Sequence, residues 1–325
     1  MWLTLAIILS TAPAQQSVGG SAQRGSAVIS DRFTPLPPGN VRFSKGLLAD
    51  RFDVNEKVRL LHVDEDDLLD CFERRDQPHQ DWQGEHVGKF LHAATLAWKS
   101  TGDESLHKKI VRVAERLMRT QEADGYLGTY PDSKRWTRWD VWVHKYDLLG
   151  LLTYRQYTGD ARALTACTRI GDLLVRTFGT KPGQKDINLA GEHVGLAATS
   201  AMEPMVILYR ATKDRRYLDF AEYIVSNYDA PTGPALLSGL ERTHSVLGPK
   251  SQKAYEMTSN LNGLMELYRA TGQKRHAEDD GQSEGDPPRQ PPIQERRQKQ
   301  EHDRQRLERD GQRRPERGPT AAFFG

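Results

Sequence analysis

One short break recurs along this chain, and it constrains the fold more than any other feature. In AATLAWKSTGDESLHKKIVRVAERL an apolar helical run meets Thr101, Gly102 and Asp103, and a second helical run follows. The same grammar returns around Thr158, Gly159 and Asp160, around Thr212, Lys213 and Asp214, and around Thr271, Gly272 and Gln273. Gly ends a helix by accepting the left-handed conformation at low cost, and an Asp just after it caps the next helix. A connection this tight makes the two helices antiparallel. Each carries apolar residues at helical spacing, as in Ile110, Val113, Ala114 and Leu117. The breaks fall roughly 54 to 59 residues apart, a period that marks stacked supersecondary units. A helical hairpin with one apolar stripe cannot bury it alone, so neighbouring hairpins pack side by side as a solenoid or a ring. Residues that favour strands are scattered, and the expected fold is all-α, a toroid or solenoid of repeated α-hairpins.

The rest of the chain is read around this body. A formal charge of +2 and 37% hydrophobic residues give no prior for nucleic acid or an anionic membrane. The apolar run from Trp2 to Leu9, followed by Ala12 and Ala14 in an A-x-A arrangement, predicts a secretory signal peptide over 1–14, with a buried N-terminal helix as the alternative. It is too short to span a bilayer. Export, to the periplasm or outside the cell, is therefore expected. Residues 15–50, rich in Ser, Gly and Pro, are expected as a linker or extended arm, and 51–275 as the helical domain. Cys71 and Cys167 fit no metal spacing; buried small hydrophobes or one disulfide are the readings open to them. From His276 to Gly325 the chain is rich in Arg, Gln, Glu, Asp and Pro, a composition expected to be disordered. Its abrupt start predicts a truncated or frame-shifted product, with a natural basic-acidic tail as the alternative.

Between hairpins the connections are long, which is itself a functional hint. They must share one rim, since the short turns occupy the other. At the entrance to the first hairpin stand Trp82, Gly84, Glu85 and His86. An aromatic face stacks on a sugar ring while carboxylate and imidazole bond hydroxyls; equally, Glu85 serves the helix dipole and Trp82 packs. The next connection brings Tyr126, Tyr130, Trp136, Trp139, Trp142 and Tyr146, with His144 at a helix start. Flat apolar faces with interleaved polar groups are how ligand sites for sugars are built. The string Gly-Glu-His-Val-Gly of 84–88 returns at 191–195, which favours a duplicated hairpin and adds His193 and Glu203 as candidates for the same cavity. Glu241, His244 and Glu256 are the ionisable groups of the last connection, with Tyr255 beside Glu256.

Glu85 to Lys89 with the Ala93-Ala94 helix, Gln121 to Tyr130, His144, and the hairpin ILYRATKDRRYLDFA together resemble the glycoside hydrolase family 127 catalytic domain, over about Arg51 to Arg275. The resemblance implies an (α/α)6 toroid that hydrolyses glycosidic bonds with retention, with a cysteine nucleophile on zinc and a glutamate acid/base. By the same resemblance Glu241 lies near the acid/base position, His144 matches a sugar-binding histidine, and Glu256 a zinc-ligating glutamate. Expected sugar contacts are Trp82, Glu85, His86, Tyr126, Trp142, His144 and His193; the expected partner is an oligosaccharide or glycoside, and the expected substrates are non-reducing-end arabinofuranosides or related plant cell-wall sugars.

The departures bear on mechanism. The family places Cys two residues after that glutamate, where this chain has Thr258, and a second sugar-binding His falls near Thr199. With the cysteine ligands absent, the zinc site and the activity are both in question, and little or no turnover is expected. A retaining hydrolysis needs an acid and a nucleophile flanking the scissile bond. Glu241 with Glu256 as a zinc-free carboxylate pair is the alternative chemistry, and a non-catalytic helical scaffold that binds carbohydrate or protein is the alternative function.

Overall fold

The structure is a computed structural model that describes residues 29, 33 and 35–273. The expected signal peptide, half of the arm and the tail from His276 lie outside the described residues. Eleven α-helices follow in order: α1 (Leu47–Asp53), α2 (Glu65–Glu73), α3 (Glu85–Thr101), α4 (Glu104–Arg119), α5 (Asp140–Thr158), α6 (Ala161–Thr177), α7 (Leu196–Thr199), α8 (Met202–Thr212), α9 (Arg215–Asn227), α10 (Leu236–Thr243) and α11 (Ala254–Thr271). Helix α1 starts inside the segment expected as linker and buries none of its residues. A π-helical stretch, Val54–Arg59, continues it.

Each recurring break closes with the same hydrogen bonds. Gly102, Gly159, Lys213 and Gly272 take the left-handed conformation and donate their N–H to the carbonyls of Trp98, Arg155, Tyr209 and Tyr268. The threonine before each, Thr101, Thr158, Thr212 and Thr271, donates its hydroxyl to the carbonyl four residues back. That hydroxyl also accepts the N–H two residues on, at 3.2 Å in all four turns. Asp103, Asp160 and Asp214 then cap the second helix through the N–H of Leu106, Arg162 and Arg216 at 2.8, 2.9 and 3.0 Å. Orphan groups at the end of one helix and the start of the next are thus satisfied within three residues.

The hairpins are α3–α4, α5–α6 and α8–α9, and α11 opens a fourth. Their first helices pack in succession, α3 on α5, α5 on α8 and α8 on α11, while α4, α6 and α9 form the outer layer. Outer helices bury one stripe, as α4 does with Leu106, Ile110, Val113, Ala114 and Leu117. Inner α5 is buried nearly all round, Asp140, His144, Lys145 and Asp147 included. Helices alternate in direction, so every long connection leads to the N-terminus of an inner helix on one rim. The turns with threonine lie on the other.

The tightest inner contact is α3 on α5. A Cβ on Gly150 would stand 2.6 Å from the Gly88 carbonyl oxygen, and one on Gly88 would strike the Tyr146 carbonyl. Backbone thus meets backbone where these helices cross. Below the crossing, the side of α5 that faces the outer layer holds Asp147, which is fully buried with neither carboxylate oxygen hydrogen-bonded. Cys71 of α2 and Cys167 of α6 flank it as free, buried thiols, so the disulfide reading is corrected: each cysteine packs as a small hydrophobe. Burial, and then the Asp140 carboxylate, hold the Asp147 carboxyl well above its ordinary range.

Gly88→Ala should cost about 3 kcal/mol or more of unfolding free energy by overpacking at the crossing, against about 1 kcal/mol for loss of the α4 cap in Asp103→Ala; urea denaturation of the two variants checks the order. Asp147 has a sign that can be worked through. Its raised folded pKa means that the unfolded chain releases a proton the folded chain keeps, so its contribution to stability is fullest below about pH 4 and falls as pH rises toward the folded pKa. Asp147→Asn should therefore gain thermal stability relative to the parent between pH 4 and 7, with the two converging in acid.

Candidate functional site

Helix geometry gives α5 two functional faces. Trp142, Lys145 and Tyr146 share one, at i, i+3 and i+4, and Asp140, His144 and Asp147 share the opposite one. The first faces the rim of long connections, and the N-terminal turns of α3, α8 and α11 meet it there.

This mouth is built from rings and carboxylates. The Trp142 indole N–H donates to Glu85 Oε2, and Lys89, one turn along α3, bonds Glu85 Oε1 at 2.6 Å. Lys89 Nζ also lies over the rings of Tyr146 and Tyr255, 4.6 and 5.1 Å from their centres. The hydroxyls of Tyr146 and Tyr255 meet at 2.5 Å, joining α5 to α11. Lys145 is 1% exposed and sits over Trp142 and Tyr146 at 4.5 and 4.9 Å. Burial pulls its pKa down to about 8, with Glu203, Glu85 and Glu256 opposing that shift. Burial raises the carboxyl of Glu203, on α8, and Lys145 opposes the rise. Glu256 opens α11 almost wholly buried; its Oε1 is 3.8 Å from His193 Nε2 and its Oε2 has no hydrogen-bond partner. Asn260, one turn on, holds this end of α11 in place by donating to the carbonyls of Leu196 and Glu256 and accepting the Tyr228 hydroxyl.

A line of edge-to-face rings leads inward. Trp82, 42% exposed, meets Trp139 at 6.5 Å between centres; Trp139 meets His193 at 5.4 Å and Trp142 at 5.5 Å; Trp142 meets Tyr255 at 5.2 Å. Such contacts pass apolar surface continuously from solvent to the carboxylates. The connection that carries Trp139 is held rigid by two arginines. Arg75 donates to the carbonyls of Gly128 and Thr120 and pairs with Glu122, and Arg135 pairs with Glu122, Asp124 and Asp132.

The two copies of Gly-Glu-His-Val-Gly do not share a structure, which corrects their reading as a duplicated hairpin entrance. Glu85 and His86 of the first copy begin α3. In the second, His193, Val194 and Gly195 all have positive φ, at 59, 56 and 84°. The reason is local crowding: Gly195 lies so close to Asn188 that a Cβ would stand 2.7 Å from its Cα. The strained turn aims His193 at Glu256.

Of the expected residues, Trp82, Glu85, Trp142, His193 and Glu256 come together here. His86 is at the edge, half-exposed and 3.9 Å from Glu85 Oε1. Tyr126 and His144 are not in the mouth, contrary to their expected role as sugar contacts; both are 0% exposed on the far side of α5. There the Tyr126 hydroxyl donates to Asp140 Oδ1 at 2.8 Å, the Trp136 N–H to Oδ2 at 2.7 Å, and His144 Nδ1 bonds the Asp140 carbonyl oxygen at 2.8 Å. The helix begins at Asp140, so His144 falls in its second turn and turns inward, its Nε2 buried and unpaired. Glu241 is on α10 and exposed, and among the described residues no hydrogen bond or ion pair joins it to the mouth groups. Lys89, Lys145, Tyr146 and Tyr255 also stand among these groups and were not among the expected sugar contacts; the signal for the first three is the i, i+4 spacing from Glu85 and the i, i+3, i+4 spacing from Trp142, and for Tyr255 its place beside Glu256.

Zinc finds no set of ligands among the described residues, which contain no cluster of three or more His, Cys, Asp or Glu side chains suited to a metal. Beside Glu256 stands only His193, both cysteines are on the other side of α5, and the Thr258 hydroxyl is turned back to the Ala254 carbonyl at 2.8 Å. A cleft of about 640 Å³ lies on the opposite rim, between residues 36–57 and the end of α3, and contains none of the mouth groups.

The model of a family described as "Beta-L-arabinofuranosidase, GH127 catalytic domain" matches residues 40–233. A non-reducing end β-L-arabinofuranosidase from Bifidobacterium longum subsp. longum is 26% identical over 156 residues, 44% of this chain and 23% of that protein. Among solved structures, a GH127 β-arabinofuranosidase superposes with a TM-score of 0.58 at 18% identity, over 75% of this chain and 42% of the other. A GH127 β-L-arabinofuranosidase from Geobacillus stearothermophilus T6 gives 0.52 at 18% identity, over 71% and 40%. The chain thus spans less than half the length of these relatives. The fold is of the (α/α)6-toroid type, and the described residues carry three complete hairpins of it and the first helix of a fourth.

Proposed function

The chain belongs to the glycoside hydrolase family 127 catalytic-domain family, and on that premise we propose that its mouth is a sugar site of a glycoside hydrolase acting on non-reducing-end arabinofuranosides or related plant cell-wall sugars. One observation carries the reading: the ring line from Trp82 through Trp139 to Trp142 ends on the carboxylates of Glu85 and Glu256. Stacked rings hold the apolar face of a sugar, and carboxylates take its hydroxyls.

Hydrolysis asks for two groups about the scissile bond. The resemblance assigns the acid to Glu241 and a zinc-ligating role to Glu256, the zinc-free alternative makes Glu256 the second carboxylate, and it is Glu256, with a buried oxygen that has no hydrogen-bond partner beside His193, that stands in the mouth. With Glu241 turned to solvent on α10, we expect sugar binding with little turnover. Export to the periplasm or the cell exterior is part of the same proposal and rests on the apolar run from Trp2 to Leu9 and on Ala12 and Ala14.

An arabinose-containing oligosaccharide at about one hundred times its Kd should stabilise the folded chain by ~2.7 kcal/mol, seen as a raised melting temperature. Trp82→Ala and Trp139→Ala should each remove most of that shift. An aryl β-L-arabinofuranoside should be turned over barely above background, and turnover by the parent that is lost in Glu241→Gln would overturn that expectation. If the export reading holds, N-terminal sequencing of the protein from its native host finds Gln15 first; Met1 retained sinks it.

A further inference from the structure

The helical segment 47–59 is packed inside out. Its apolar residues Leu47, Leu48, Val54 and Val58 are exposed, and its one buried residue is a carboxylate, Glu56, at 2% exposure. An ordinary surface helix does the reverse. Glu56 lies in the π-helical stretch Val54–Arg59, and π turns recur at functional sites. Its Oε1 accepts the Thr101 hydroxyl at 2.5 Å. Among the described residues its Oε2 makes no hydrogen bond, and no cation pairs with the carboxylate. Burying a carboxylate with so few partners is unfavourable, and a ligand that donates to it relieves the cost.

Glu56 stands in the wall of the cleft of about 640 Å³ on the rim of short turns. Leu36, Val41, Phe43, Phe52 and Leu96 give that cleft apolar surface, with the rings of Phe43 and Phe52 5.9 Å apart and Phe43 half-exposed. The C-terminal end of α3, at Ser100, Thr101 and Gly102, closes another side, and a helix C-terminus carries partial negative charge. Asp103 adds a carboxylate. The cations that also line the cleft are both exposed, and Lys57 is paired with Asp53 at 3.3 Å, which leaves Arg42. We propose that this cleft binds an organic ammonium ion with an apolar or aromatic body. The ammonium donates to Glu56 Oε2 beside the negative end of α3, the phenyl rings attract its charge, and the body covers the apolar walls. An anionic ligand would meet Glu56, Asp103 and the α3 carbonyls, and an uncharged one would leave the buried carboxylate without a counter-charge. The volume is that of a small-molecule site, and none of the mouth groups belongs to it.

The test is isothermal titration calorimetry of the full chain with three probes that share one apolar body, 2-phenylethylammonium, 2-phenylethanol and 3-phenylpropionate, repeated on Glu56→Gln and Phe43→Ala. The parent should bind the ammonium at least about tenfold more tightly than the alcohol, the worth of one hydrogen bond to a charged group, and the carboxylate more weakly than either. Glu56→Gln keeps an oxygen for the Thr101 hydroxyl and loses the charge, so it should bind ammonium and alcohol alike. Phe43→Ala removes an exposed ring and should weaken both together; unchanged affinity there overturns the proposal. A Glu56→Gln chain that keeps the preference overturns it as well, since a carboxylate that only fastened Thr101 would not set that preference. So does a parent that binds the ammonium no more tightly than the alcohol, or binds none of the three, an outcome that needs no variant to fold.

Discussion

The backbone contact of α3 with α5 at Gly88 and Gly150 is what the rest of the site depends on. Side chains at those positions would hold the helices apart and lift Glu85 off the Trp142 indole and Lys89 off the Tyr146 ring. Close approach without side chains is something only glycine allows. Because interiors pack near crystal density, the crossing also sets where α5 turns its faces. One face supplies the rings and ammonium of the mouth. The other supplies the buried Asp140, His144 and Asp147.

Those two faces divide cost between them. Buried polar atoms without a hydrogen-bond partner lie on both sides, Glu256 Oε2 at the mouth and His144 Nε2 with both Asp147 carboxylate oxygens behind α5. The rear face holds Asp140, which uses its carboxylate to fasten the Tyr126–Trp136 connection to the start of α5. His144 belongs to this fastening through the Asp140 carbonyl. A connection that carries Trp139 into the mouth can thus be long without being loose. Two arginines and one buried carboxylate supply what regular secondary structure does not.

Much of the fold was legible because its punctuation is local. A Thr-Gly-Asp triplet satisfies its own hydrogen bonds within a few residues, so the triplet alone reveals the turn, the antiparallel pairing and the rim on which the long connections must lie. That Trp82, Glu85, Trp142, His193 and Glu256 come together was legible because each stands in such a connection or at the helix entrance it leads to. Tyr126 and His144 satisfied the same criterion and lie on the wrong side of α5. Between Trp142 and His144 the helix turns by about 200°, and density of aromatic residues along a sequence does not register that rotation. Gly-Glu-His-Val-Gly makes the same point at shorter range: one copy begins a helix and the other is a left-handed turn packed against Asn188, seven residues before its last glycine.

From residue order alone come the helical class, the hairpin period, the caps and the rim that carries the long connections, since each rests on interactions among residues a turn or two apart. Which carboxylates share the mouth and which rings its lysines lie over follow only from the packing of α3, α5, α8 and α11. Those contacts join residues dozens to more than one hundred positions apart, as Tyr146 joins Tyr255. They depend on the angle and depth at which helices cross, and a period of 3.6 residues says which face a residue takes but not what waits opposite it.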